Sequence, residues 1–422
     1  MNVMKNFLLA LLLCGSLTGR AQDVVLVNYD TIYVDYIKTV QFYLEDLVAT
    51  LPIVPLGNQG VLNLTFDDLT DELYNYTYRI QHCNADWTPS VISELDYLNG
   101  FRVGDIRQRE LAFNTRVRYA HHRLTLPNRD IQFSISGNYL LHVFNEQDEP
   151  LLTRRFAVVE QLFRVEARMG PGRGVGQFNT HQEIDFTVIH EDIPIQNPLR
   201  EISATVIQNG QWTTAIQGIR PTFVKPEQLI FDYQGKVTFP AGKEYRPLDM
   251  RSLRTYAGNV RDIQQTEDGF DVTLGRDQKR ASSAYLTFQD LDGDFAIESF
   301  DWADPDLRND YANVLFNLYS PTQYENEDVY VYGGLTDWQL RPEFKMAYNP
   351  MVNGYVAEGL LKQGFYDYEY VTVDRTTGAI SRDLTEGNWY ETRNTYTVLV
   401  YYRPFGQRYD RLVAAYAVPI LR

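Results

Sequence analysis

The chain has 422 residues, 39 Lys+Arg against 55 Asp+Glu, a net charge of −16 and 44% hydrophobic residues. At roughly 100–200 residues per domain this length corresponds to two to four domains, and the apolar share excludes disordered, collagen-like and low-complexity classes. The acidic balance makes nucleic acid a poor partner and disfavours anionic lipid headgroups. The 30 Tyr and 22 Phe favour strands over helices, because flat rings pack well on a pleated surface.

Residues 1–21 read as a secretory signal: Lys5 supplies the positive start, Phe7 to Leu13 the apolar run, and Gly19 and Ala21 the small residues of a cleavage site. The run is far shorter than the ~20 residues a membrane-spanning helix needs. Bulky Leu13 before Cys14 argues against lipidation. Cleavage after Ala21 leaves Cys83 as the only cysteine, so stability must come from hydrophobic cores and not from disulfides.

Strand signals dominate the remainder. Leu62–Phe66, Tyr74–Ile80, Asp130–Ser136, Tyr139–Phe144 and Thr153–Val159 alternate apolar and polar residues and predict a first β-sandwich over 22–160. Glycine-dense Met169–Gly176 reads as a flexible connector. Ile184–His190, Glu201–Gln208, Leu229–Tyr233, Lys236–Phe239, Leu253–Leu274 and Ala284–Phe288 predict a second sandwich over 161–300. After an acidic link at Asp301–Asp310 come Tyr311–Leu318, Asp328–Tyr332, Glu343–Tyr348, Gly354–Leu360, Tyr366–Asp374 and Tyr396–Arg403, a third unit over 301–422. No long stretch carries helical periodicity. The fold class is all-β, three tandem immunoglobulin-like sandwiches.

Several phrases in the first unit carry a family resemblance: Ile37–Tyr43, Leu64–Leu69, His82–Trp87, Leu95–Phe101, Gly137–Leu141 and Leu152–Phe156. His181–Phe186, Tyr285–Asp290 and Tyr401–Gly406 continue it. In order and spacing the chain resembles the plug protein of the bacterial type IX secretion system, a Bacteroidetes family. The resemblance implies a non-enzymatic periplasmic stopper that docks on the outer-membrane translocon barrel, peripheral to the membrane and without inserting in it. Val331–Trp338, Phe344–Met346 and Gly364–Tyr370 also resemble the early-set immunoglobulin-like fold of glycogen-binding modules, in which the residue matching Trp338 stacks on sugar. Glu369 stands near the place where those modules usually carry a lysine. A carbohydrate-binding β-sandwich protein is therefore the alternative function.

Candidate chemistry is sparse. In Asp290-Leu291-Asp292-Gly293-Asp294 glycine is fourth and not sixth, so a β-turn is expected in place of a helix-loop-helix calcium site. His82 and Cys83, like His121 and His122, are neighbours on strands and point to opposite faces, which excludes a shared nucleophile or metal centre. Cys83 and the Trp87 indole are expected in the core. Adjacent Arg154 and Arg155 diverge, one toward solvent or a partner and one toward a neighbouring sheet. No paired carboxylates or Ser/His/Asp arrangement supports a hydrolase. The expectations are no catalytic, cofactor-binding or metal residues, no small-molecule ligand, and a protein contact drawing on Asp86, Trp87, Arg154, Arg155 and Trp338.

Overall fold

The computed structural model describes residues 25–419 apart from 58, 59 and 192. The expected export signal and Cys14 lie outside the described residues. Among those described, the α-helices are single turns of four residues, with short 3-10 turns at Trp212–Thr214, Gly334–Thr336 and Pro342–Phe344, and the rest is strand, turn and loop. No described helix is long and apolar enough to cross a membrane.

Alternating residues build three hydrophobic cores. The first lies between two sheets. One is ordered Thr31–Ile32, Pro150–Val159, Gly137–Phe144, Tyr76–Cys83, Gly104–Ile106, and the other Ile37–Leu44, Leu62–Asp68, Ala120–Leu126, Gln108–Leu111. Leu64, Phe66, Tyr78, Tyr139, Leu141 and Phe156 fill the space between them. Burying such a side chain contributes roughly 1.5–3 kcal/mol.

The second core is built from chain segments far apart in sequence. Arg164–Pro171, His181–Ile189, Phe223–Lys225, Gln228–Phe231 and Thr238–Pro240 form one sheet. Its partner sheet runs Ile216–Ile219, Ile202–Gln208, Tyr396–Tyr402, Arg411–Val418. The strand at Tyr396–Tyr402, expected in the third unit, therefore pairs with Ile202–Gln208, from Ile202 opposite Tyr402 to Gln208 opposite Tyr396.

The third core belongs to a ten-stranded sheet inserted between those segments. It includes Arg246–Asp249, Val260–Gln265, Phe270–Leu274 and Phe295–Ala296, which the sequence reading placed in the second unit. Phe270–Leu274 runs parallel to Tyr311–Tyr319, so the boundary expected near residue 300 falls inside one sheet. The acidic link is a contact surface: it holds the short helix Pro305–Arg308, and Asp310 accepts from the backbone of Arg116 and Val117.

Two further expectations fail locally. The glycine-dense segment closes a hairpin between Arg164–Pro171 and His181–Ile189 and connects no cores. Arg173 within it is held by Glu183 at 2.8 Å, Asp185 at 2.6 Å and Asp232 at 3.1 Å. Residues 284–288, expected as a strand, form none and pair with no strand among the described residues.

Candidate interaction site

The predicted interaction residues gather where the three cores meet, and most of them face inward. Asp86 is exposed, and its Oδ1 accepts from the backbone N and hydroxyl of Thr88 at 3.0 and 2.6 Å. This Asx turn helps hold Trp87 at φ +66°, in the left-handed region. The indole swings into the protein and is only 2% exposed. It sits on Cys83 and Leu140 and meets Trp212 of the second core edge to face, with 4.8 Å between ring centroids. Burial pushes the Cys83 thiol up to about 12, so it is an unreactive apolar filler.

Arg154 and Arg155 diverge as alternation requires, but both serve internal contacts. The Arg155 guanidinium lies 4.6 Å from the Trp87 ring and 5.7 Å from the Trp212 ring. Its Nε donates to the carbonyl of Asn28 at 2.9 Å. Arg154, 5% exposed, crosses to the third core and pairs with Asp337 at 2.9 Å. Arg341 holds the other oxygen of Asp337. One strand thus presents consecutive cations to two different neighbours. The outward-facing arginine expected from the sequence is absent, because each guanidinium has an internal partner.

Trp338 follows Asp337, both with positive φ (55° and 53°). Its indole meets Tyr245 and Tyr332 edge to face at 5.8 and 5.5 Å. With Arg154, Arg155, Trp212, Asp292 and Asp337 it lines a cavity of ≈ 550 Å³ between the cores. The acidic turn expected at 290–294 is present, with Asp292 and Gly293 both at positive φ. Asp367 accepts from the backbone N of Leu291 and Gly293. Burial, then the charge of Asp290, raises the Asp292 and Asp367 carboxyls to about 7; burial raises Asp294 to about 6. No group of three or more His, Cys, Asp or Glu able to hold a metal ion occurs among the described residues.

The main lock between first and third cores was not singled out from the sequence. Lys362 Nζ lies 2.6 Å from Asp67 Oδ2, and each side chain is 1% exposed. Tyr311 donates its hydroxyl to the same oxygen at 2.7 Å, and His121 Nδ1 lies 2.7 Å from Oδ1. Burial by itself would raise the Asp67 carboxyl; Lys362 and His121 outweigh it and hold the group below its usual value. His121 and His122 do diverge: His122 turns away and stacks on Phe66. The available signal was Asp67-Asp68 at the end of an apolar strand, since charges in core positions demand partners.

A second lock joins the first and second cores. Tyr401 donates to Asn138 Oδ1 at 2.9 Å, the Ala85 N–H to Asp410 at 2.9 Å, and Arg411 pairs with Glu160. Its rim is apolar. The loop after Tyr402 carries Phe405, 94% exposed, and Arg408 of that loop reaches Asp96 at 3.4 Å, beside Leu95 at 73% exposed. Val91 and Phe101 are exposed on the same segment of the first core. Large contiguous exposed apolar patches mark contact surfaces.

The described residues form an all-β body whose cores are joined by buried ion pairs and aromatic contacts. Residues 37–160 match the family model described as type 9 secretion system plug protein 1st domain. The chain is also similar to the crystal structure of a hypothetical protein from Parabacteroides merdae, at 33% identity over 92% of this chain and 98% of that one, with a TM-score of 0.88. The chain belongs to the type 9 secretion system plug protein family. That family is one of secretion plugs and not of known enzymes, and it associates this chain with secretion machinery. No curated protein matches it.

Proposed function

We propose that this protein is a periplasmic stopper, exported by its N-terminal segment, which docks on the outer-membrane type IX translocon barrel and seals it without chemistry. Family membership carries this reading. The seams support it, because a body that occludes a pore must not flex open under load. The seams described are closed by buried ion pairs and by an edge-to-face aromatic pair. The rim around Phe405 and Leu95 supplies the apolar, aromatic contact that protein interfaces favour at their centres. Asp86 flanks that rim, and Trp87, Arg154, Arg155 and Trp338 serve by keeping the body rigid.

Binding of the mature chain to purified translocon tests this reading. Phe405→Ser with Leu95→Ser should weaken binding at least tenfold while leaving the melting temperature unchanged, since both side chains already face water. Wild-type protein that fails to bind would end the proposal.

A further inference from the structure

The cavity where the three cores meet carries an unbalanced charge. Its lining holds four carboxylates, Asp30, Asp292, Asp294 and Asp337, against two cations, Arg154 and Arg155. Both cations are engaged elsewhere. Arg154 pairs with Asp337 at 2.9 Å, and Arg155 donates its Nε to the Asn28 carbonyl and its backbone N to Asp30 Oδ1 at 2.6 Å. Asp292 and Asp294 are left over: no cation stands among the groups that act on either carboxyl in the described residues. Their turn is held in place. Asp367 accepts from the backbone N of Leu291 and Gly293, and a Cβ at Gly293 would come within 2.3 Å of the Trp338 ring. Beside these carboxylates the wall is apolar, with Phe42, Leu44, Leu51 and Ile53 on the side of the first core.

The volume of ≈ 550 Å³ is that of a ligand pocket, for which about 300–1,000 Å³ is usual. No group of three or more residues able to hold a metal ion occurs among those described, so the charge calls for an organic cation. We propose that this cavity binds a lysine or arginine side chain of a peptide, with the charged head on Asp292 and Asp294 and the aliphatic stem along the apolar wall. Such side chains bury their stems on apolar surface while the head keeps a polar partner. One of them fills only part of the space, and the remaining apolar wall favours a peptide, with flanking residues, over a free amine. The fixed turn presents its carboxylates without rearrangement, which lowers the cost of binding. The other titratable groups around Asp292 are Asp290, Asp367, Tyr245 and Tyr396, and Asp337 faces Asp294; none is a cation. Asp292, at about 7, therefore holds a proton in part at neutral pH. A bound cation favours the ionised form and displaces that proton. The inference goes beyond the stopper reading and does not rest on it.

Calorimetric titration of the mature chain with acetyl-Leu-Lys-Leu-amide, and with its arginine and glutamine counterparts, tests it. At pH 8 the two basic peptides should bind at least tenfold more tightly than the glutamine peptide. Their binding should weaken at least tenfold at pH 5, where both carboxyls are protonated. Asp292→Asn with Asp294→Asn should abolish the preference for a basic peptide. Asparagine tolerates the positive φ of position 292, so the melting temperature should not fall. The comparison of peptides on the wild-type chain decides the matter even if that variant does not fold. No binding, equal binding of the three peptides, or a preference that survives in the folded double variant would overturn the site. Pentylamine bound as tightly as the lysine peptide would refute the peptide assignment. None of these measurements involves the translocon, so their failure leaves the stopper reading standing.

Discussion

Lys362 and Asp67 face each other at 2.6 Å with almost no water around them, so neither charge can be removed alone without stranding the other. Breaking a buried pair in this way costs about 3–5 kcal/mol. Lys362→Met should lower stability by that amount in urea melts, and replacing Asp67 and Lys362 together by apolar residues should cost less than Lys362→Met alone. The acidic turn makes an opposite kind of prediction. Asp367 titrates near 7 in the folded protein, against about 3.9 in an unfolded chain. Between those values the folded state holds a proton that the unfolded chain has released, so its contribution to stability is full below about pH 4 and lost as pH rises through 7. Asp367→Asn keeps an oxygen for Leu291 and Gly293. The variant should therefore gain stability relative to wild type as pH rises from 4 to 7 in thermal melts. A difference flat with pH would contradict this.

At the scale of elements, Pro150–Val159 is the hinge pin of the molecule, sending Arg154 to the third core and Arg155 to the Trp87–Trp212 clamp. Trp87→Ala should cost about 3–5 kcal/mol, typical of a large buried aromatic, read by calorimetry. Tyr396–Tyr402 is an interior strand of a sheet whose other members begin at residue 202. Ending the chain at Arg393 should therefore collapse protection from exchange over 202–208 while 62–68 stays protected. These elements also show how far the sequence could be read. Alternation located Leu62–Asp68, Gly137–Phe144 and Tyr396–Tyr402 because the period of two is local. Their partners were not legible, since Tyr396 opposite Gln208 is a contact that no local pattern encodes. The same limit hid Lys362 opposite Asp67, 295 residues apart. Residues 284–288 mark the converse case: a strand pattern that the fold leaves unpaired.

For the whole molecule, the three cores share buried seams and together line a solvent-open cavity of ≈ 550 Å³. Arg154 of the first core and Asp337 of the third pair across their seam at 2.9 Å. Such a body suits occlusion, where shape and stiffness matter and turnover does not. Conductance of the purified translocon in a planar bilayer, with and without the mature protein added on the periplasmic side, is the most direct measurement. Closure of an otherwise open pore at protein concentrations that saturate binding is the predicted result. A pore that conducts equally with the protein bound would contradict the account.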